Sequence, residues 1–149
     1  MTASEHRVTP MTTHHKHLTL ELQAEFGHAD ITAQVRKWIA ETGIATGVVA
    51  LQVVGSTGGI TTIEYEPGAL ADLRAAFEEI APSRGNYEHN ARWGDGNGFS
   101  HLRSALLKTA LSLPVVEGEL QLGTWQQITV LNFDNRARRR EVIGVIVGD

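Results

Sequence analysis

The sequence predicts an α+β domain, and two observations carry that prediction. Helical and strand patterns do not alternate one for one along the chain. The C-terminal third, LSLPVVEGELQLGTWQQITVLNFDNRARRREVIGVIVGD, alternates apolar and polar residues almost throughout, as a β-meander does. The sheet is therefore expected to be antiparallel or mixed, carrying about three helices, and not parallel and doubly wound. There is no internal repeat, and 149 residues suit one domain. That domain is expected over residues 15–149, behind a loose tail at 1–14.

Each element has its own signal. From Lys16 the chain alternates, with Leu18, Leu20 and Leu22 on one face and Thr19, Glu21 and Gln23 on the other. That is a half-buried strand. Asp30 caps a helix over about 31–42, in which Ile31, Val35, Trp38 and Ile39 form one apolar stripe and Gly43 closes the end. GIATGVVALQVV is β-branched and mostly apolar, a buried strand. GSTGGITTIEYEPG then turns through glycines into a short threonine-rich strand. Pro67-Gly68 opens a helix over about 69–80 that turns Leu70, Leu73, Phe77 and Ile80 inward. Ser100 is a candidate N-cap for a helix over about 101–110. Strands follow near 112–116, 119–122, 126–133 and 139–147, with turns at Glu117-Gly118 and Asn135.

Composition removes several classes of function. The formal net charge is −4, so no global positive field draws nucleic acid. Cysteine is absent, which excludes disulfides and thiolate metal sites. No apolar run reaches the roughly 18–20 residues that span a bilayer, and the polar start MTASEHRVTPMTTHHKH has no apolar signal core. The expectation is a cytoplasmic protein without nucleic-acid or membrane partners.

The chemistry concentrates in YEHNARWGDGNGFSHLRSALL, residues 87–107. His89, Asp95, Asn97 and His101 offer imidazole and oxygen donors that can hold a divalent ion. His101, Ser104 and Lys108 recur at helical spacing, so they share one face near a helix start, where phosphate is favoured. Asp-Gly-Asn-Gly is equally an ordinary turn sequence, and both readings stand at this level. Gly55-Ser56-Thr57 with its following glycines can cradle phosphate through backbone amides or form a plain turn; it lacks the Gly-Lys-Ser/Thr of a nucleotide loop. Glu64 ends the next strand and can face a pocket or solvent. His14, His15 and His17 read as a solvated leader. Arg136–Glu141 reads as a solvated basic hairpin more readily than as an anion clamp. Trp125 opens a strand and suits core or interface better than a ligand platform.

These motifs resemble the YjbQ family, whose members carry the label secondary thiamine-phosphate synthase. The resemblance rests on ITTIE at 60–64, NYEHN at 86–90, DGNGFSHLRSALL at 95–107, LPV at 113–115, LGTWQQI at 122–128 and FDNRARRRE at 133–141, and runs from about Lys16 to the end. It implies a compact α+β domain that forms a homotrimer. It also implies an enzyme joining a pyrimidine pyrophosphate to a thiazole phosphate, with alternatives in a small-phosphate hydrolase or a trimeric metal- or phosphate-binding protein. Its implied ligand is a small phosphorylated metabolite, with Mg²⁺, Mn²⁺ or Zn²⁺ and no organic cofactor. Carried onto this sequence, the catalytic candidates are His101, His89 and Glu64. Of the phosphate-binding candidates, the resemblance carries Ser104 and Arg138, while Ser56, Thr57 and Lys108 come from the residue pattern alone, Lys108 standing where the family usually has glycine; the metal candidates are His89, Asp95, Asn97 and His101. Thr124, Trp125 and Gln126 are implied at an interface or pocket wall. The match departs at Gly55, where many members carry a histidine before Thr-Thr or Thr-Ser.

Overall fold

The computed structural model describes residues 9–149. The described chain runs β1 (Thr12–Leu22), β2 (Gly27–Asp30), α1 (Thr32–Thr42), β3 (Gly47–Val54), β4 (Gly58–Ile63), α2 (Pro67–Ile80), α3 (Glu88–Trp93), α4 (Gly98–Leu107), β5 (Ala110–Val116), β6 (Glu119–Leu120), β7 (Gln127–Asn132) and β8 (Arg138–Gly148). Of the tail expected at 1–14, residues 1–8 lie outside the described residues. Thr12 already pairs with Gly148, so strand begins earlier than expected.

The strands make two antiparallel sheets, ordered β1-β8-β3-β5-β6 and β2-β7-β4. The α+β expectation holds. Strand alternation explains the layering. One face of the larger sheet turns Val49, Leu51, Val53, Val142 and Ile146 inward, and these pack with Val35, Trp38 and Ile39 of α1 and with Ile128 and Val130 of β7. The other face leaves Val48, Val145 and Val147 exposed. Strand β7 is buried along nearly its whole length because it is covered on both sides. Leu131 and, just beyond the strand, Phe133 form a second cluster with Phe26 of the β1–β2 turn and Phe77 of α2.

Several boundaries move for identifiable reasons. Asp30 does receive the Thr32 N–H and hydroxyl, at 2.9 and 2.6 Å, although the last non-helical residue is Ile31. Gly43 ends α1 at φ 72, the left-handed conformation that glycine adopts without penalty. Helix α2 begins at Pro67, with the Glu66 carboxylate taking the Gly68 and Ala69 N–H groups. Ile80 is exposed and not inward. Helix α4 starts at Gly98 after Asn97, and Ser100 is a buried first-turn residue whose hydroxyl donates to the Asn97 carbonyl and side-chain oxygens. It ends at Leu107, because strand β5 claims Ala110.

Arg103 fastens α4 to α2. It is 1% exposed; its Nε and Nη2 donate to the Ala81 carbonyl at 2.9 and 2.8 Å, and Nη2 also meets Glu78 at 2.7 Å. The guanidinium lies over the Phe99 ring at 4.9 Å. These contacts fix the helix that carries His101.

Candidate functional site

The loop from Gly55 to Thr57, the α3–α4 turn and the start of β8 enclose a cleft of about 450 Å³, lined among others by Ser56, Asp95, His101, Asp134, Arg138 and Arg140. An adjoining hollow of about 400 Å³ shares Gly55, Ser56 and His101 and adds Ser104 and Lys108. His101 therefore stands between a lobe with Arg138 and a lobe with Lys108.

His101 is held from one side. Its Nδ1 is 3.2 Å from the carbonyl oxygen of Ser56. A carbonyl only accepts, so Nδ1 carries the proton and Nε2 of the neutral ring keeps a free lone pair. The His89 ring packs on it with centroids 4.5 Å apart and planes tilted by 44°. His89 sits on α3, a helix inside a stretch that the sequence reads as loop. Its buried Nδ1 is 3.2 Å from Asp95 Oδ1, close enough for an ion pair but not aligned for a hydrogen bond. The result is an Asp95–His89–His101 array.

The wall behind the array is a hydrogen-bonded network. Asp134 is 2% exposed and accepts from the Thr57 hydroxyl at 2.9 Å and from Arg138 Nε at 2.9 Å. Burial works to raise the Asp134 carboxyl, but bonds from Arg138, Thr57, the Arg136 N–H and Asn97 outweigh it and hold it below the usual range. Arg140 runs beneath the loop, donating to Asn132 and Thr57.

The sequence candidates divide accordingly. Asp95, His101, Ser56, Lys108 and Arg138 converge on the two lobes, and His89 stands behind them, against the His101 ring and Asp95. Three of the others line the cleft but hold structure there. Thr57 is bonded to Asp134, the Ser104 hydroxyl donates to the Gly58 carbonyl at 2.6 Å, and Asn97 Oδ1 receives the Ser100 hydroxyl and the Asn135 N–H. Glu64 is a correction: it is exposed and follows the far end of β4, whose other end adjoins Thr57. Seven steps of strand separate them by roughly 20 Å. Thr124, Trp125 and Gln126 belong to that distant end too, since Gln126 Nε2 donates to Thr62 at 2.9 Å, and Trp125 is 69% exposed. They do not wall the cleft within one chain, and Trp125 is not core.

The metal set also changes. Among the described residues no group of three or more His, Cys, Asp or Glu side chains stands close enough to hold an ion. Asn97 is occupied, and Asp95 Oδ1 already receives the Asn97 N–H at 3.1 Å. The remaining imidazole pair is a poor match for Mg²⁺, which prefers oxygen, and is short of the donors Zn²⁺ requires.

Asp134 and Arg140 are buried lining residues that the sequence reading overlooks. Arg136–Glu141 reads as a solvated basic turn, yet Arg140 is 6% exposed. Counting back by two from the buried Ile146 and Val142 places it on the inward face of β8, a signal present in the sequence. A separate hollow lined by Phe26, Tyr65 and Leu70 is mostly apolar; its only histidine, His28, is 2.8 Å from the Tyr65 hydroxyl, and burial lowers its pKa.

Comparison with known proteins fixes the kinship. A model of the family described as UPF0047 protein YjbQ-like matches residues 16–149. The chain belongs to the YjbQ family. It is 35% identical over 116 residues to a UPF0047 protein of Methanothermobacter thermautotrophicus, covering 78% of this chain and 80% of that one. It is 34% identical over 112 residues to UPF0047 protein YugU of Bacillus subtilis, covering 74% and 82%. Among solved structures, a YbjQ-like protein of unknown function from Sulfolobus solfataricus superposes with a TM-score of 0.88 at 28% identity, covering 94% of this chain and all of that one. An uncharacterised YjbQ-family protein from Clostridium acetobutylicum gives 0.80 at 29% identity, covering 88% and 98%.

Proposed function

We propose that this YjbQ-family chain binds a small phosphorylated metabolite in the cleft and hydrolyses its phosphate ester, with His101 moving the proton. The observation that carries the reading is the Ser56 carbonyl against His101 Nδ1, which leaves Nε2 as a proton acceptor in a cleft flanked by Arg138 and Lys108. The cations take the phosphoryl oxygens and stabilise the charge that grows there. Water attacks phosphorus, the ester P–O bond breaks, and the proton lost by water reaches the departing alcohol oxygen through His101 Nε2. Asp95 and His89 keep the His101 ring in place.

The coupling of a pyrimidine pyrophosphate to a thiazole phosphate draws on the same anion-binding groups. It also needs strong neutralisation of the leaving pyrophosphate, commonly by a divalent ion. The two carboxylates among the sequence candidates, Asp95 and Glu64, do not meet in one chain to hold such an ion, so hydrolysis is the better-supported reading. Purified protein is given a panel of phosphomonoesters, and separately the two coupling substrates with Mg²⁺. The hydrolase reading predicts release of inorganic phosphate that is lost in His101→Ala. Thiamine phosphate formation without phosphate release would favour coupling, and equal rates for parent and His101→Ala would reject both.

Assembly as a homotrimer is proposed from the family resemblance. The exposed Val48, Val145 and Val147 on the open sheet face are apolar surface of the kind such an assembly would cover.

A further inference from the structure

Arg140 takes no part in the reaction proposed above, and its surroundings are unusual for a buried cation. Nε and Nη2 donate to Asn132 Oδ1 at 3.1 and 2.5 Å, and Nη2 donates to Thr57 Oγ1 at 2.5 Å. All of these acceptors are neutral. Among the described residues no carboxylate comes within ion-pair distance of Arg140, because the nearby Asp134 is paired with Arg138. Asp134 acts on this guanidinium only through space, from beyond ion-pair distance, so a buried cation bonded only to neutral oxygens keeps less compensation than one paired directly with a carboxylate.

Its third nitrogen is free among the described residues. Nη1 makes no hydrogen bond to the described residues, and it sits against Gly55. A Cβ at residue 55 would lie 2.9 Å from Nη1, and the residue has φ +133, a conformation that side-chain-bearing residues rarely adopt. Gly55 and Arg140 both line the cleft. The glycine thus leaves an opening onto one edge of a rigid, preorganised guanidinium, beside the residue whose carbonyl holds His101.

We propose that Arg140 Nη1, uncovered because residue 55 is glycine, is an anion receptor at the base of the cleft that takes a phosphoryl oxygen of the ligand. The inference rests on the phosphate-binding reading above and adds to it the residue that seats the anion. It also gives Gly55 a role: any side chain there would cover the receptor.

Calorimetric titration of the full chain with inorganic phosphate tests this, using the parent, Gly55→Ala, Arg140→Lys and Arg138→Ala. Gly55→Ala adds one carbon against Nη1, while Arg140→Lys keeps a charge but loses the planar fork. Both are expected to weaken phosphate binding at least tenfold, with the histidine resonances of the free protein in their parental positions. If Gly55→Ala fails to fold, Arg140→Lys decides alone. Phosphate binding within twofold of the parent in the folded variants, with Arg138→Ala impaired, would overturn the receptor and leave the phosphate-binding reading intact. A parent that binds no phosphate would overturn both.

Discussion

Replacing Arg103 with methionine should loosen the helix that carries His101. Met keeps an unbranched apolar stem, so packing against Phe99 and Phe77 is largely retained. What goes is the guanidinium, with two bonds to the Ala81 carbonyl and one to Glu78. Ala81 is fully buried, so its carbonyl keeps only what remains after those donors leave, and an orphaned acceptor costs about 1–3 kcal/mol. The Glu78 carboxylate is 39% exposed and can rehydrate, which limits that part of the loss. Together these give about 3 kcal/mol, or a fall in Tm of roughly 6–12 °C for a chain of this size. Thermal melting followed by circular dichroism on the parent, Arg103→Met and Glu78→Gln measures it. The Glu78→Gln variant should lose less than about 1 kcal/mol. A melting temperature for Arg103→Met within about 2 °C of the parent, or a Glu78→Gln loss as large as that of Arg103→Met, would refute the argument that the Ala81 carbonyl dominates.

Three further outcomes follow from the same contacts. Asp134→Asn should be less stable than the parent at neutral pH by about 2–3 kcal/mol, because it breaks a buried, paired carboxylate. The Asp134 carboxyl is depressed in the fold, so its contribution is present above the unfolded value of 3.8 and is lost as pH falls through the lower folded value; in melts across pH the gap between the two proteins should close below that point, and a constant gap would count against the network. Removal of metal with a chelator should leave phosphate affinity unchanged, whereas a stoichiometric metal whose loss abolishes binding would show that another donor completes the His89–His101 pair. Light scattering should return a trimer mass that falls for Val145→Glu, and a monomer mass for the parent would reject the assembly.

Much of the fold is legible where one face of an element is buried, because burial imposes a period. Leu18, Leu20 and Leu22 announce β1, and Val35, Trp38 and Ile39 announce α1. Strand β2 is four residues long and partly exposed, so Gly27–Asp30 shows no period at all. Helix α3 buries no residue, and Glu88–Trp93 looks like the loop around it. At the site, the residue types of His89, Asp95 and His101 point to chemistry before any coordinates do. Their neighbours mislead, because Thr57, Ser104 and Asn97 have the right atoms but those atoms are bonded inside the protein. Glu64 misleads through position alone, since a motif close in sequence to Thr57 is carried away by one strand length. Arg140 is hidden by its company: three of its neighbours are arginines, and only the alternation of β8 marks it as inward.

The proposed reaction turns on His101 Nε2 standing unprotonated in a cleft whose cations hold the anion. Histidine ring ¹⁵N spectra of the whole chain, at about pH 8 where an ordinary imidazole is neutral, test it without any assumption about substrate. The expected result is the Nδ1–H tautomer for His101, and a movement of the His101 and Arg138 signals, but not that of His28, when inorganic phosphate is added. An Nε2–H tautomer at His101, or a His101 ring that phosphate leaves untouched, would contradict it.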